Sequence, residues 1–163
     1  MQLKSVVAAA VASAAVNAMA ANYSIGSLPI APSIYSNVPS VAAGSFSDLY
    51  SFLFPAAAST ASGSAITIEV ATLLNINNIQ VSLLDAGLST LASGGVGQSS
   101  LLIDQALTVG SSYYFQVTGN ASGSAGGAYA FVASAAPVPE PGTYALMLAG
   151  LCAVGVVVRR RSA

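Results

Sequence analysis

The sequence contains no histidine, no tryptophan and a single cysteine among 163 residues. Without histidine, the imidazole base of a Ser-His-Asp arrangement and a principal zinc ligand are both missing. One cysteine cannot close an intrachain disulfide. Cys152 lies inside an apolar run near the C-terminus, where a small polarizable side chain is ordinary filler; lipidation or redox chemistry is its alternative reading. Charge is scarce as well, at 6% of residues against roughly 25% in an average soluble chain. The four cations, Lys4, Arg159, Arg160 and Arg161, all lie at the two ends. Residues 21–139 hold four carboxylates, Asp48, Glu69, Asp85 and Asp104, and no Lys or Arg. Phosphate neutralisation needs Lys or Arg, so a nucleic-acid partner is excluded for this body. GGVG at 94–97 lacks the Lys-Ser/Thr of a phosphate loop, and no GxSxG elbow occurs. These absences leave no catalytic residue, no cofactor site and no metal site built on His or Cys to expect, and an enzyme is not the expectation.

What the sequence does have is a pair of specialised ends. It opens MQLKSVVAAAVASAAVNAMAANYS, with Lys4 and the amine as a weakly basic head and an apolar run from Val6 to Val16. Ala18-Met19-Ala20 then supplies the small-x-small pattern that signal peptidase reads, which predicts a secretory leader over 1–20, a mature chain beginning at Ala21, and Ala18, Ala20 and Ala21 as the cleavage residues. The run is too short to stay behind as a spanning anchor.

The chain closes PVPEPGTYALMLAGLCAVGVVVRRRSA. Proline on both sides of Glu140 forbids helix there and favours an extended segment that a protease cleft can read. The seventeen uncharged residues from Gly142 to Val158 predict a transmembrane helix about 25 Å long at 1.5 Å per residue, at the short edge of what spans a bilayer. Arg159, Arg160 and Arg161 would hold its end on the cytoplasmic side and leave the body outside. Val138-Pro139-Glu140-Pro141, the short apolar helix and the arginine cluster, in that order, resemble the PEP-CTERM sorting signal of Gram-negative bacteria. The resemblance covers 137–163. It implies an exosortase partner that recognises Val138, Pro139, Glu140 and Pro141, with the helix and arginines retaining the chain at the inner membrane until the body is released or transferred.

The body, residues 21–136, reads as strands. In GSFSDLYSFLF, Phe46, Tyr50, Phe52 and Phe54 share a face with Asp48. Ile66, Ile68 and Val70 oppose Thr67 and Glu69; Ile79, Val81 and Leu83 align; Tyr113, Phe115 and Val117 oppose Gln116 and Thr118; Tyr129 and Phe131 align. This alternation of period two marks strands. SGS, DAG, SGGVG and GNASGSAGG punctuate the runs as turns. The proline-bearing stretch 22–41 predicts loop, and 101–109 has blurred alternation. The expectation is an all-β, small β-sandwich between a leader helix and a C-terminal helix. FSDLYSF is similar to the FxDxF signature of a small PEP-CTERM family, with Tyr50 in place of the second Phe and Phe46, Asp48, Tyr50 and Phe52 as its motif positions. VGSSYYFQVTG and GGAYAFVAS look like the closing strands of that family and of bacterial pre-peptidase C-terminal domains. Both resemblances imply a jelly-roll-like sandwich and no activity. ASGSA occurs at 61–65 and again at 121–125, but the flanks differ and the repeat reads as coincidence.

Asp48 is the residue in the body that asks for an explanation, because no Lys or Arg is available to it. A buried carboxylate needs hydrogen-bond donors or a cation. A turn amide or tyrosine hydroxyl is the expected partner, and calcium with other oxygen ligands is the alternative. The whole reads as an exported, exosortase-sorted protein of the cell surface or matrix. Its expected role is structural or adhesive, tied to exopolysaccharide, biofilm or self-association. A carbohydrate-binding module using Tyr35, Tyr113, Tyr114 or Tyr129, or a permanently anchored single-pass protein, are the alternatives.

Overall fold

A computed structural model describes residues 20–97, 100–103, 107–138 and 141–161. The leader expected over 1–20 lies outside the described residues except for Ala20, and so does Ala18. The chain forms ten strands and one helix: β1 (Asn22–Ser27), β2 (Tyr35–Asn37), β3 (Ser40–Val41), β4 (Gly44–Leu53), β5 (Ala58–Ile68), β6 (Ile76–Leu84), β7 (Thr90–Ser93), β8 (Ser100–Ile103), β9 (Ser112–Ala121), β10 (Gly127–Pro137) and α1 (Pro141–Arg161). One sheet has the order β1-β4-β9-β6-β7; the other runs β2-β10-β5-β8, with β3 also paired to β10. The all-β sandwich expected from the sequence is therefore the fold.

The interior follows the predicted alternation on most strands. Phe46, Tyr50, Phe52 and Phe54, Ile79, Val81 and Leu83, Tyr113, Phe115 and Val117, and Tyr129 and Phe131 are all buried in one cluster. Rings stack through it: Tyr50 on Phe131 at 4.1 Å between centroids, Phe52 on Phe115 at 4.7 Å and Phe46 on Tyr129 at 5.5 Å. Offset stacks of this kind add to the area they remove from water.

Two expectations are corrected. In β5 the predicted inward face is reversed: Ile66 is 58% exposed and Val70, beyond the strand, 46% exposed, whereas Ala61, Gly63 and Ala65 face the core. The reason is volume. A Cβ placed on Gly63 would lie 2.8 Å from Cε1 of Phe115, so the aromatic layer leaves room only for small residues on β5. The first ASGSA is thus the thin inner face of a central strand. The second closes a turn, where Ser124 and Ala125 donate to the carbonyls of Thr72 and Leu73. The repeat marks no duplicated half.

The second correction concerns 22–41, which is not all loop. β1 lies parallel to β4 on the sheet edge, Asn22 opposite Leu49 and Ser27 opposite Leu53, and β2 and β3 edge β10. Prolines fall between these short strands, and edge strands tolerate such interruptions because one side of each needs no ladder partner.

The segment expected to span a membrane, 142–158, falls within the 21-residue helix α1. Among the described residues no helix is long and apolar enough to cross a membrane. The uncharged stretch rises only about 25 Å, against a hydrocarbon core of about 30 Å. Leu146, Met147, Leu148, Leu151, Val154 and Val158 on this helix are all exposed.

Candidate functional site

Three features are candidates for function: a buried polar centre, an uncharged outer sheet face and the C-terminal segment.

Strand alternation puts Asp48 on the inner face of β4, 2% exposed, between Phe46 and Tyr50. Its Oδ2 accepts the hydroxyl of Tyr129 at 2.6 Å, and its Oδ1 accepts the backbone N–H of Ala21 at 2.9 Å. The hydroxyls of Tyr50 and Tyr129 are 2.9 Å apart. Since the Tyr129 proton goes to the carboxylate, Tyr50 donates to Tyr129. A relay thus runs from Tyr50 through Tyr129 to Asp48, and no buried side-chain polar atom among the described residues lacks a partner. Burial raises the phenol pKa of both tyrosines above the ordinary value, and for Tyr129 the bond to Asp48 raises it further. Tyr23, stacked on Tyr50 at 4.7 Å, is raised by burial and then by the charge of Asp48. Of the two expected partners of Asp48, a turn or a tyrosine hydroxyl, the structure supplies the hydroxyl of Tyr129. The N–H of Ala21 was not foreseen, because it arrives with a parallel edge strand whose sequence reads as loop. Among the described residues, no three His, Cys, Asp or Glu side chains gather into a metal site.

The outer face of the first sheet is uncharged and mostly polar, with Leu49, Leu53 and Tyr114 set among its hydroxyls and amides. Ser45, Ser47 and Ser51 of β4, Gln116, Thr118 and Asn120 of β9, and Asn77 and Gln80 of β6 alternate with the core residues. They bind one another across strands: Gln116 Nε2 donates to Ser47 Oγ at 2.9 Å, and Gln80 Nε2 to Ser93 Oγ at 3.0 Å. A groove of about 530 Å³ on this face is lined by Asn22, Tyr23, Leu49, Ser51, Leu88 and Tyr114 among others. A second of about 360 Å³ shares Ser51 and Tyr114 with it. Of the four tyrosines with a candidate stacking role, Tyr113 and Tyr129 are core and Tyr35 packs against the core cluster. Tyr114 alone of the four lines these grooves.

At the C-terminal end β10 pairs with β5 as far as Pro137 opposite Ala58, and the N–H of Val138 donates to the carbonyl of Ala57 at 2.9 Å. Pro139 and Glu140 lie outside the described residues. Pro141 opens α1, the helix position that needs no N–H. Arg159, Arg160 and Arg161 are exposed in its last turn, where positive charge suits the helix dipole.

No curated protein matches this chain. Among solved structures, the pre-peptidase C-terminal domain of a collagenase from Bacillus anthracis is similar at 12% identity and a TM-score of 0.42, over 72% of this chain and 97% of that one. The family model of the PEP-CTERM protein-sorting motif matches residues 137–161. This protein therefore carries a PEP-CTERM protein-sorting motif, joined directly to the last strand of a β-sandwich.

Proposed function

We propose that the protein is exported behind its leader, stopped briefly at the inner membrane by α1, and cut near Pro139-Glu140-Pro141 by an exosortase. The sandwich then passes to the cell surface or matrix and serves there as a structural or adhesive module associated with exopolysaccharide. The observation that carries this reading is the sorting motif at 137–161, which begins where β10 ends. Helix α1 suits a temporary stop: its exposed apolar side chains favour lipid, and its short uncharged stretch makes it marginal as a permanent span. The arginines at its end would snorkel to the cytoplasmic interface.

A role with neutral polymers is supported by the outer sheet face. Hydroxyls and amides without charge offer paired donors and acceptors to sugar hydroxyls or to a second copy of the same face. The grooves at Tyr114 favour a second reading within this one, a carbohydrate-binding surface in which Tyr114 stacks on a sugar ring. Intact-mass measurement of protein from cells with and without the exosortase tests the sorting reading. The expected product lacks both the leader and the residues beyond the Pro-Glu-Pro site only when the enzyme is present. Protein in the cytosol with both ends intact would refute the proposal.

A further inference from the structure

The carboxylate of Asp48 lies in the interior, where among the described residues it has two neutral donors and no cation. From Ala21 to Val158 the sequence offers it no Lys or Arg. Burying an unpaired charge is costly unless a counter-charge meets it. The donor to Oδ1 is the nitrogen of Ala21, 2.9 Å away, the nitrogen on which the leader is expected to end. Ala21 is pinned on its other side as well: its carbonyl accepts the N–H of Leu49 at 2.8 Å, and the next residue, Asn22, begins the parallel pairing of β1 with β4. The position of this nitrogen is therefore fixed by the sheet.

We infer that the α-amino group of the processed chain is the counter-ion of Asp48, so that leader removal at Ala20–Ala21 supplies the one positive charge in the body's interior. The inference rests on the leader reading. Hydrolysis breaks the Ala20–Ala21 C–N bond and consumes one water. The oxygen joins Ala20 as the carboxylate of the departing leader, and both water hydrogens join the Ala21 nitrogen, which already holds one, to give an ammonium. One N–H stays on Asp48 Oδ1. The other two have room in the adjoining cleft of about 140 Å³, lined by Ala20, Tyr23, Ser40 and Ala42 among others, which loses its Ala20 wall when the leader leaves. The titratable groups packed around the site are the phenols of Tyr23, Tyr35, Tyr50 and Tyr129, all raised above the ordinary tyrosine value and so neutral near pH 7. The ammonium and the carboxylate thus face each other without competing charge. The precursor, with only an amide in this place, leaves Asp48 uncompensated, so the mature sandwich is completed by its own processing.

The processed chain makes a clean test possible, because Lys4 leaves with the leader and the Ala21 amine is then the sole amine. The full chain is exported from a host with signal peptidase and no exosortase, purified in detergent with α1 attached, and its mass determined. It is then treated at about pH 7 with an amine-acylating reagent, native and in denaturant. The expected mass begins at Ala21, and the native amine is labelled about tenfold or more slower than the denatured one, the effect of a pKa raised by about one unit together with burial. Asp48→Asn is expected to label several-fold faster than wild type in the native state, because it removes the charge and leaves the burial in place. If that variant fails to fold, the wild-type ratio still decides. A chain starting at another residue overturns the leader reading and the pairing together. A chain starting at Ala21 whose amine reacts equally fast native and denatured overturns the pairing alone.

Discussion

The hydroxyl of Tyr129 on β10 meets the carboxylate of Asp48 on β4 at 2.6 Å, so a short hydrogen bond links the two sheets through the aromatic core. Tyr50 extends it from the same strand as Asp48 at 2.9 Å. Polar contacts here fix which residues face each other, where stacked rings alone could slide.

Tyr129→Phe removes the donor and leaves a buried oxygen of Asp48 unsatisfied. The expected loss is about 1–3 kcal/mol of unfolding free energy, the usual cost of an orphaned buried acceptor or more because this one is charged. Tyr50→Phe leaves the carboxylate bonded and is expected to cost about 1 kcal/mol. Urea titration of the two variants measures both losses. A Tyr129→Phe protein as stable as wild type would contradict the role given to the bond.

Gly63→Ala on β5 forces a methyl to within 2.8 Å of the Phe115 ring, which is itself packed on Phe52 and cannot retreat freely. Overpacking of this kind costs about 1–3 kcal/mol. Ser64→Ala on the neighbouring, outward position should change stability by less than about 0.5 kcal/mol. Thermal unfolding of the pair separates a packing effect from a general intolerance of β5 to substitution.

The phenols of Tyr50 and Tyr129 hold their protons above the ordinary value of 10.0 in the folded state. The unfolded chain releases them near pH 10, so the folded state binds more protons there, and their stabilising contribution is complete below about pH 10 and is lost as pH rises above it. Alkaline unfolding should therefore coincide with the last phenolate absorbance to appear. Removing one of the two phenols by Tyr129→Phe should flatten the alkaline decline. Ionisation of all seven tyrosines before any loss of folded structure would contradict this.

Tyr114→Ala alters the outer face without touching the core, because Tyr114 lies opposite the direction of Phe115 on β9. Stability should fall by about 1 kcal/mol, the scale of replacing a half-buried strand aromatic by alanine, with the fold kept. Retention on isolated matrix polysaccharide should fall at least tenfold if the grooves at Tyr114 hold a sugar ring. Unchanged retention would remove the carbohydrate reading of these grooves and leave self-association to be measured by sedimentation.

The exosortase cut is expected after Val138. Residues up to Pro137 are zipped to β5, and Val138 still donates to Ala57, so a cut further upstream would strip strand pairs from the sandwich. Mass analysis of the released body should find Val138 retained. A body ending before Pro137 would show that the protease unravels β10.

Much of this protein was legible from residue order, and the limits have physical causes. Alternating aromatics on β4, β9 and β10 announce their buried faces, because period-two burial is a local property of an extended chain. The tail is equally legible: proline, apolar and arginine segments act through local conformation and solvation. β5 was misread because isoleucine is normally the residue that goes inside, and the rings that claim that space come from β9, far away in sequence. β1 was misread because its strand character resides in β4, its partner, rather than in NYSIGS itself.

Asp48 shows both halves of the matter. The sequence alone placed a carboxylate on an aromatic face with no cation in the body, and showed a resemblance to a sorting signal over 137–163. Only the tertiary structure decided what meets that carboxylate, because the Tyr129 hydroxyl and the Ala21 nitrogen lie 81 and 27 residues away. Hydrogen bonds act over about 3 Å, and distances that short between remote residues are set by how the sheets close on each other, which no local pattern encodes.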